Sequence, residues 1–91
     1  MDRRNWIEAL LRAAFAPLEL AVIDESHLHR GHAGAADGAG HFRVRMTSER
    51  FRGVSRLARH RLVYDALRSE IGGEIHALAL DLFGPDDPRG V

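Results

Sequence analysis

The sequence predicts a single small α/β (α+β) domain, ordered helix, strand, strand, helix, strand. Three observations carry that prediction. Apolar side chains recur at helical spacing near the start of the chain and again after Ser55. Between residues 41 and 47 they alternate strictly with arginine, the period of a sheet with one buried face. Glycine, proline and short polar side chains punctuate the stretches between. A three-stranded sheet with both helices packed on one face is the simplest way to bury these stripes.

Residues 3 to 15 read as an amphipathic helix, with Ile7, Leu10, Leu11 and Ala14 on one side and Arg4, Glu8 and Arg12 left in water. Pro17 ends it and directs Ala16 towards an extended conformation. Leu18 to Ile23 forms the first strand, with Leu18, Leu20 and Val22 on one face, and Asp24-Glu25-Ser26 closes it. Residues 27 to 40 hold four glycines without apolar periodicity and read as a loop. That is long for a connection of neighbouring strands, which usually takes about two to five residues.

The second strand places Phe42, Val44 and Met46 inward and Arg43 and Arg45 outward. Turn signals surround Gly53, and Ser55 is placed to cap the second helix. That helix should bury Ala58, Leu62, Val63, Ala66 and Leu67, with Ile71 as a marginal member, and stop at Gly72-Gly73. Residues 74 to 82 form the last strand, with Leu78, Leu80 and Leu82 on one face and Ile75, Ala77 and Ala79 on the other. Two apolar faces suit a strand inside the sheet. The division expected is a domain over residues 1–83 and a frayed tail over 84–91, which carries two prolines, two glycines and adjacent aspartates.

Composition narrows the function classes. Thirteen basic and 13 acidic residues leave no formal net charge, whereas a strongly cationic nucleic-acid or membrane-surface protein would carry a positive excess. There is no cysteine, hence no disulfide and no thiol for catalysis or redox chemistry. Any iron–sulfur centre held here takes its thiolates from another molecule. No stretch reaches the roughly 18 to 20 apolar residues that span a bilayer, so no membrane association and a cytoplasmic location are expected.

Four patches carry a family resemblance: Val22-Ile23-Asp24-Glu25-Ser26 before a His- and Gly-bearing loop; His41-Phe42-Arg43-Val44; the run Phe51-Arg52-Gly53-Val54-Ser55-Arg56-Leu57-Ala58-Arg59-His60-Arg61-Leu62-Val63-Tyr64; and Ile75-His76-Ala77-Leu78. In this order and spacing the chain resembles the BolA family over about residues 3 to 83. The resemblance implies a fold like a type II KH domain and partnership with a monothiol glutaredoxin. It also implies a bridging 2Fe–2S cluster held by a glutaredoxin cysteine, a glutathione thiolate and two side chains of this chain. His76 is the first of those two. The second comes from the loop, where His32 matches the family pattern best and His29 is the rival. Two imidazoles on one iron raise a cluster's potential and make it acid-sensitive, because an imidazolium cannot bind metal. Alone, the chain is expected to be a colourless monomer without a cofactor. Two features depart from the family: Gly84-Pro85-Asp86-Asp87-Pro88 interrupts the usual C-terminal extension, and no hydroxyl residue precedes His41-Phe42.

Plainer roles stand beside these. A single histidine opening a strand is more often a structural residue than a ligand, and loop histidines are often just solvated. His41, at the edge of the sheet, and His60 are expected to be structural, and Tyr64 to pack at the domain edge. Arg50, Arg52, Arg56, Arg59 and Arg61 concentrate positive charge within twelve residues, with His60 among them. They read as a solvated helix face, as a docking surface for an acidic partner or glutathione carboxylates, or as a phosphate-binding stripe. DNA is therefore the alternative partner, in a transcriptional regulator. Against it, Arg52-Gly53-Val54-Ser55-Arg56 lacks the second glycine of a KH clamp, and no aromatic ladder accompanies the arginines.

An enzyme is not expected. Ser26 beside His27 is sequence adjacency, not triad geometry. Asp24 and Glu25, successive along a strand end, project to opposite sides and cannot act as a paired acid and base. His27, His29 and His32 could supply a catalytic zinc only from a glycine-rich loop.

Overall fold

The computed structural model describes residues 3–25, 40–68 and 75–88, with residues 75–77 described by their backbone alone. Helix α1 (Arg3–Phe15) has the bounds its periodicity predicts. Ile7 and Leu11 are buried, Leu10 and Ala14 pack against the core, and Phe15, not anticipated, completes the stripe one turn further on. The wet side is tied together: Glu8 accepts from Arg4 at 2.7 Å and from Arg12 at 3.4 Å. The Arg4 guanidinium, helped by Arg12, holds the Glu8 carboxyl below the usual carboxylate range.

Ala16 is not extended. Its φ is +44°, the left-handed region, and its N–H donates to the Arg12 carbonyl at 3.1 Å. Closing the helix end through that bond outweighs the bias that Pro17 places on its neighbour.

Strand β1 (Glu19–Asp24) pairs antiparallel with β2 (Gly40–Thr47), and β2 pairs parallel with β3 (Ile75–Phe83). The order β1-β2-β3 puts β2 in the centre. Leu20↔Met46, Val22↔Val44, Leu78↔Phe42, Leu80↔Val44 and Leu82↔Met46 align the apolar positions on the helix-covered face. Leu18 lies just outside β1 and is 61% exposed, so it does not join the face assigned to it.

Strand β3 is an edge strand, not an interior one. Its second face is small rather than buried: Ala79 stands opposite Arg43 on the face without helices, where Arg45 covers the Phe83 ring at 5.5 Å. His41 correspondingly lies in the central strand and not at the sheet edge.

After β2 the chain makes one 3-10 turn (Glu49–Phe51), capped by Ser48. The buried Ser48 hydroxyl also donates to the Phe15 carbonyl at 2.8 Å, locking the turn to the end of α1. Phe51, set within that turn, is fully buried and meets Phe15 with ring centroids 5.3 Å apart. Gly53 takes a φ of +71°, which allows the chain to reverse before α2.

Helix α2 (Arg56–Ala66) starts as expected, the Ser55 side chain accepting from the Ala58 N–H at 3.2 Å. Val63 and the capping residue Leu67 are fully buried, with Leu62 and Ala66 packed against the core. The helix ends at Ala66, short of the expected glycine stop. Ile71 and Gly72-Gly73 lie outside the described residues.

Gly84 to Pro88, expected to belong to a frayed tail, make a hydrogen-bonded turn. The Asp87 carboxylate accepts from the Gly84 N–H at 2.9 Å, and Asp87 N–H donates to the Gly84 carbonyl at 3.1 Å. Arg52 pairs with Asp86 and Arg59 with Asp87, fastening this turn to the end of the 3-10 turn and to helix α2. Residues 89–91 lie outside the described residues.

Candidate functional site

The His76 position and Gly40, the last residue of the expected histidine-bearing loop, fall at one end of the sheet. The β2–β3 register runs Gly40↔Ile75 and then His41↔Ala77, so β3 gains one residue on its partner and His76 has no Cα opposite. A bulge of this kind breaks the two-residue period and re-aims the local chain. The strict alternation expected over residues 74 to 82 therefore holds only from Ala77 onward.

Gly40, paired beside this step, is the last residue of the expected loop. A Cβ built on it would lie 2.2 Å from Cε2 of the buried Phe42 ring and 3.0 Å from Nη1 of Arg3, so only glycine fits. The backbone can thus leave the loop directly beneath the Phe42 ring and beside β3. His27, His29 and His32 belong to that loop and lie outside the described residues, as do Ser26 and Arg30. What the topology joins is therefore the loop's end at Gly40 and the His76 position on β3.

On the helix-free face Arg43 is centred between two carboxylates, donating at 3.2 Å to Glu25 and at 3.2 Å to Asp81. Glu25, the nearer in influence, and Asp81 raise the Arg43 pKa above its usual value and keep it cationic. Asp24 and Glu25 diverge as expected: Asp24 is in register with Phe42 while Glu25 turns to Arg43. Among the described residues no three His, Cys, Asp or Glu side chains are grouped to hold a metal ion.

The arginine-rich segment divides into two sets. Arg52 and Arg59 are committed within the molecule. Arg52 forks onto Glu49 at 3.0 and 3.2 Å and pairs with Asp86. Arg59, whose side chain is 12% exposed, donates to the carbonyls of Val54 at 2.8 Å and Leu82 at 3.2 Å and pairs with Asp87. Arg56 and Arg61 are exposed, and their guanidinium groups make no hydrogen bond or ion pair among the described residues. Arg56 and His60 stand one helical turn apart beside β3, lining a cleft of about 230 Å³ with Leu80, Asp81, Leu82 and Phe83. Tyr64, one turn further, is half exposed at the domain edge and donates weakly to the Leu78 carbonyl at 3.4 Å.

The arginine ties to Asp86 and Asp87 were not anticipated. The signal available was the pair of adjacent aspartates between two prolines, a turn that can present carboxylates to arginine.

Two helices on one face of a mixed three-stranded sheet define a small α+β domain. The model of the BolA-like protein family matches residues 11–87. The chain belongs to the BolA family. A Sinorhizobium sp. protein called "Uncharacterized protein in cobS 5'region" is 48% identical over 97% of both chains. The DNA-binding transcriptional regulator BolA of Escherichia coli is 45% identical over 88% of this chain and 73% of its own length. Among solved structures, the BolA domain of SufE1 from Arabidopsis thaliana superposes with a TM-score of 0.82 at 37% identity, covering 93% of this chain and 94% of that one. The expected family and α+β fold are thereby established, and the matched region runs on through the turn at Asp87.

Proposed function

We propose that this chain is an accessory protein that pairs with a monothiol glutaredoxin and helps to hold a bridging, glutathione-dependent 2Fe–2S cluster. His76 would be one ligand and a loop histidine, His32 or its rival His29, the other. The observation that supports this reading is the register step at His76 beside Gly40, which brings the His76 backbone and the end of the His-bearing loop to one rim of the sheet. The donor chemistry fits. A cysteine-free chain offers neutral imidazoles, and a cluster completed by two external thiolates then exists only in the complex. Bound there, the cluster would supply one-electron chemistry or a transferable iron–sulfur unit, serving trafficking or iron regulation. What this chain's own residues contribute is orientation: Gly40 permits the close approach, and the pairing of β2 with β3 keeps the rim in place.

The test is anaerobic reconstitution with a monothiol glutaredoxin, glutathione, iron and sulfide. His32→Ala and His29→Ala, compared side by side, tell the two loop candidates apart by which one changes the visible circular dichroism.

A second reading, a DNA-binding regulator, is favoured by the name of the Escherichia coli relative and by the two uncommitted arginines, Arg56 and Arg61. Arg52 and Arg59 count against it as phosphate contacts, since each would first have to give up an internal carboxylate. If DNA is the partner, Arg56→Ala with Arg61→Ala weakens an electrophoretic shift, and binding falls steeply with added salt.

A further inference from the structure

Strand β3 is an edge strand, and its outward backbone groups follow from its pairing. Phe83 points its carbonyl towards β2, where it accepts from the Ser48 N–H at 3.0 Å. By the two-residue period, Leu78, Leu80 and Leu82 turn theirs to the free edge. Two of those three carbonyls are covered from α2: Leu78 by the Tyr64 hydroxyl at 3.4 Å and Leu82 by Arg59 at 3.2 Å. The far edge of the sheet is protected in the same way, Arg4 donating to the Val22 carbonyl at 2.7 Å. Helix side chains guarding edge carbonyls is a recognised protection against unwanted strand pairing.

Among the described residues no side chain donates to the third carbonyl, that of Leu80. Leu80 lines the cleft of about 230 Å³ whose helix-side wall is Arg56 and His60. Charge on that wall is uncompensated: Arg56 has no carboxylate partner among the described residues, whereas Arg4, Arg12, Arg43, Arg52, Arg59 and Arg68 each have one. Asp81, the one acid lining the cleft, is already held by Arg43 on the opposite face of the sheet. Leu80, Leu82 and Phe83 of β3 form the other wall of the cleft.

From these features we infer that the β3–α2 cleft is a docking site for an extended acidic peptide segment of a partner protein. The peptide's main chain would pair with Leu80 at the unguarded point of the edge, and a glutamate or aspartate side chain would reach Arg56. A peptide is favoured over nucleic acid because the cleft offers strand-edge backbone groups, the feature of strand addition. Base stacking would instead want exposed ring faces, and the Phe83 ring is covered by Arg45. The site lies four residues along β3 from His76, about 13 Å at roughly 3.3 Å per residue. Neither a glutaredoxin nor a cluster is needed for it, so its test is independent of the one above.

The experiment is a titration of the ¹⁵N-labelled protein with three probes. These are a heptapeptide of alternating glutamate and valine, its lysine–valine counterpart, and a single-stranded oligothymidine. The acidic peptide is expected to shift the amides of Leu80 to Leu82 and of Arg56, and to slow hydrogen exchange at Leu80. Arg56→Glu should weaken that binding about five- to tenfold, as reversal of a partly exposed charge contact does. Leu80→Pro would remove the edge donor but can disturb folding, so the exchange protection of Leu80 in the unmodified protein is the decisive backbone readout. The inference is overturned by any of four results: no shifts at millimolar peptide, equal binding of the lysine–valine peptide, shifts confined to His41, Arg43 and Arg45 on the open face, or oligothymidine taking these amides where the acidic peptide does not.

Discussion

Arg59 and Asp87 form an ion pair that closes the C-terminal turn onto helix α2, and the guanidinium is the more deeply placed partner, with 12% of its side chain exposed against 33% for Asp87. Around this pair Arg59 also serves Val54 and Leu82, and its guanidinium lies 5.9 Å from the centre of the Phe51 ring. One side chain thus joins the 3-10 turn, the helix, β3 and the residues after it.

Arg59→Ala should therefore behave as a folding variant. It strands two carbonyls and a carboxylate, and a loss of about 2 kcal/mol is expected. Urea denaturation followed by circular dichroism measures it. A change within a few tenths of a kcal/mol would show that the turn is not held through Arg59.

The same pair sets a pH dependence. Arg59, and then the Gly84 N–H, hold the Asp87 carboxyl below its ordinary value. Its folded pKa being the lower one, its stabilising contribution is complete above the unfolded value of about 4 and fades as pH falls through the folded pKa. Asp87→Asn should accordingly lower the thermal midpoint near neutrality and converge with the unmodified protein under strongly acidic conditions. Melting curves between pH 2 and 7 check this, and parallel curves across that range would contradict it.

Phe51 and Phe15 show what local pattern could and could not foretell. The bounds of α1, the inward set Phe42, Val44 and Met46, and the Ser55 cap were legible because each rests on residues a few positions apart. Phe51 sits amid turn signals, and its burial depends on Phe15 and Arg59 arriving from distant parts of the chain. The edge position of β3 was hidden for a related reason. Alanines on an open face resemble a buried face in sequence, and only strand order tells them apart. At the candidate site the residue types were legible, but the register step at His76 arises from pairing with β2 and leaves no mark on the sequence. The commitment of Arg52 and Arg59 to Asp86 and Asp87 likewise depends on contacts 34 and 28 residues apart.

Phe51→Ala should cost about 3 to 5 kcal/mol, the range for emptying a fully buried aromatic site. In a domain of this size such a loss leaves little residual stability. Loss of the sharp near-ultraviolet circular dichroism signal, or of the cooperative urea transition, reads it out. Tolerance of the change with less than 1 kcal/mol lost would contradict the core described here.

Ala16 offers the opposite case. A left-handed conformation costs an L-residue roughly 1 to 2 kcal/mol, and glycine is free of that cost but loses more entropy on folding. Ala16→Gly is expected to raise stability by up to about 1 kcal/mol. A destabilised variant in the same urea experiment would show that Ala16 is not strained.

Cluster sharing through His76 is tested by the visible circular dichroism of a reconstituted mixture with glutaredoxin, glutathione, iron and sulfide. The expected result is a spectrum distinct from that of the glutaredoxin homodimer, present with the unmodified chain and absent with His76→Ala, while size exclusion shows the two proteins eluting together. A homodimer spectrum unchanged by this chain, with no joint elution, would contradict it.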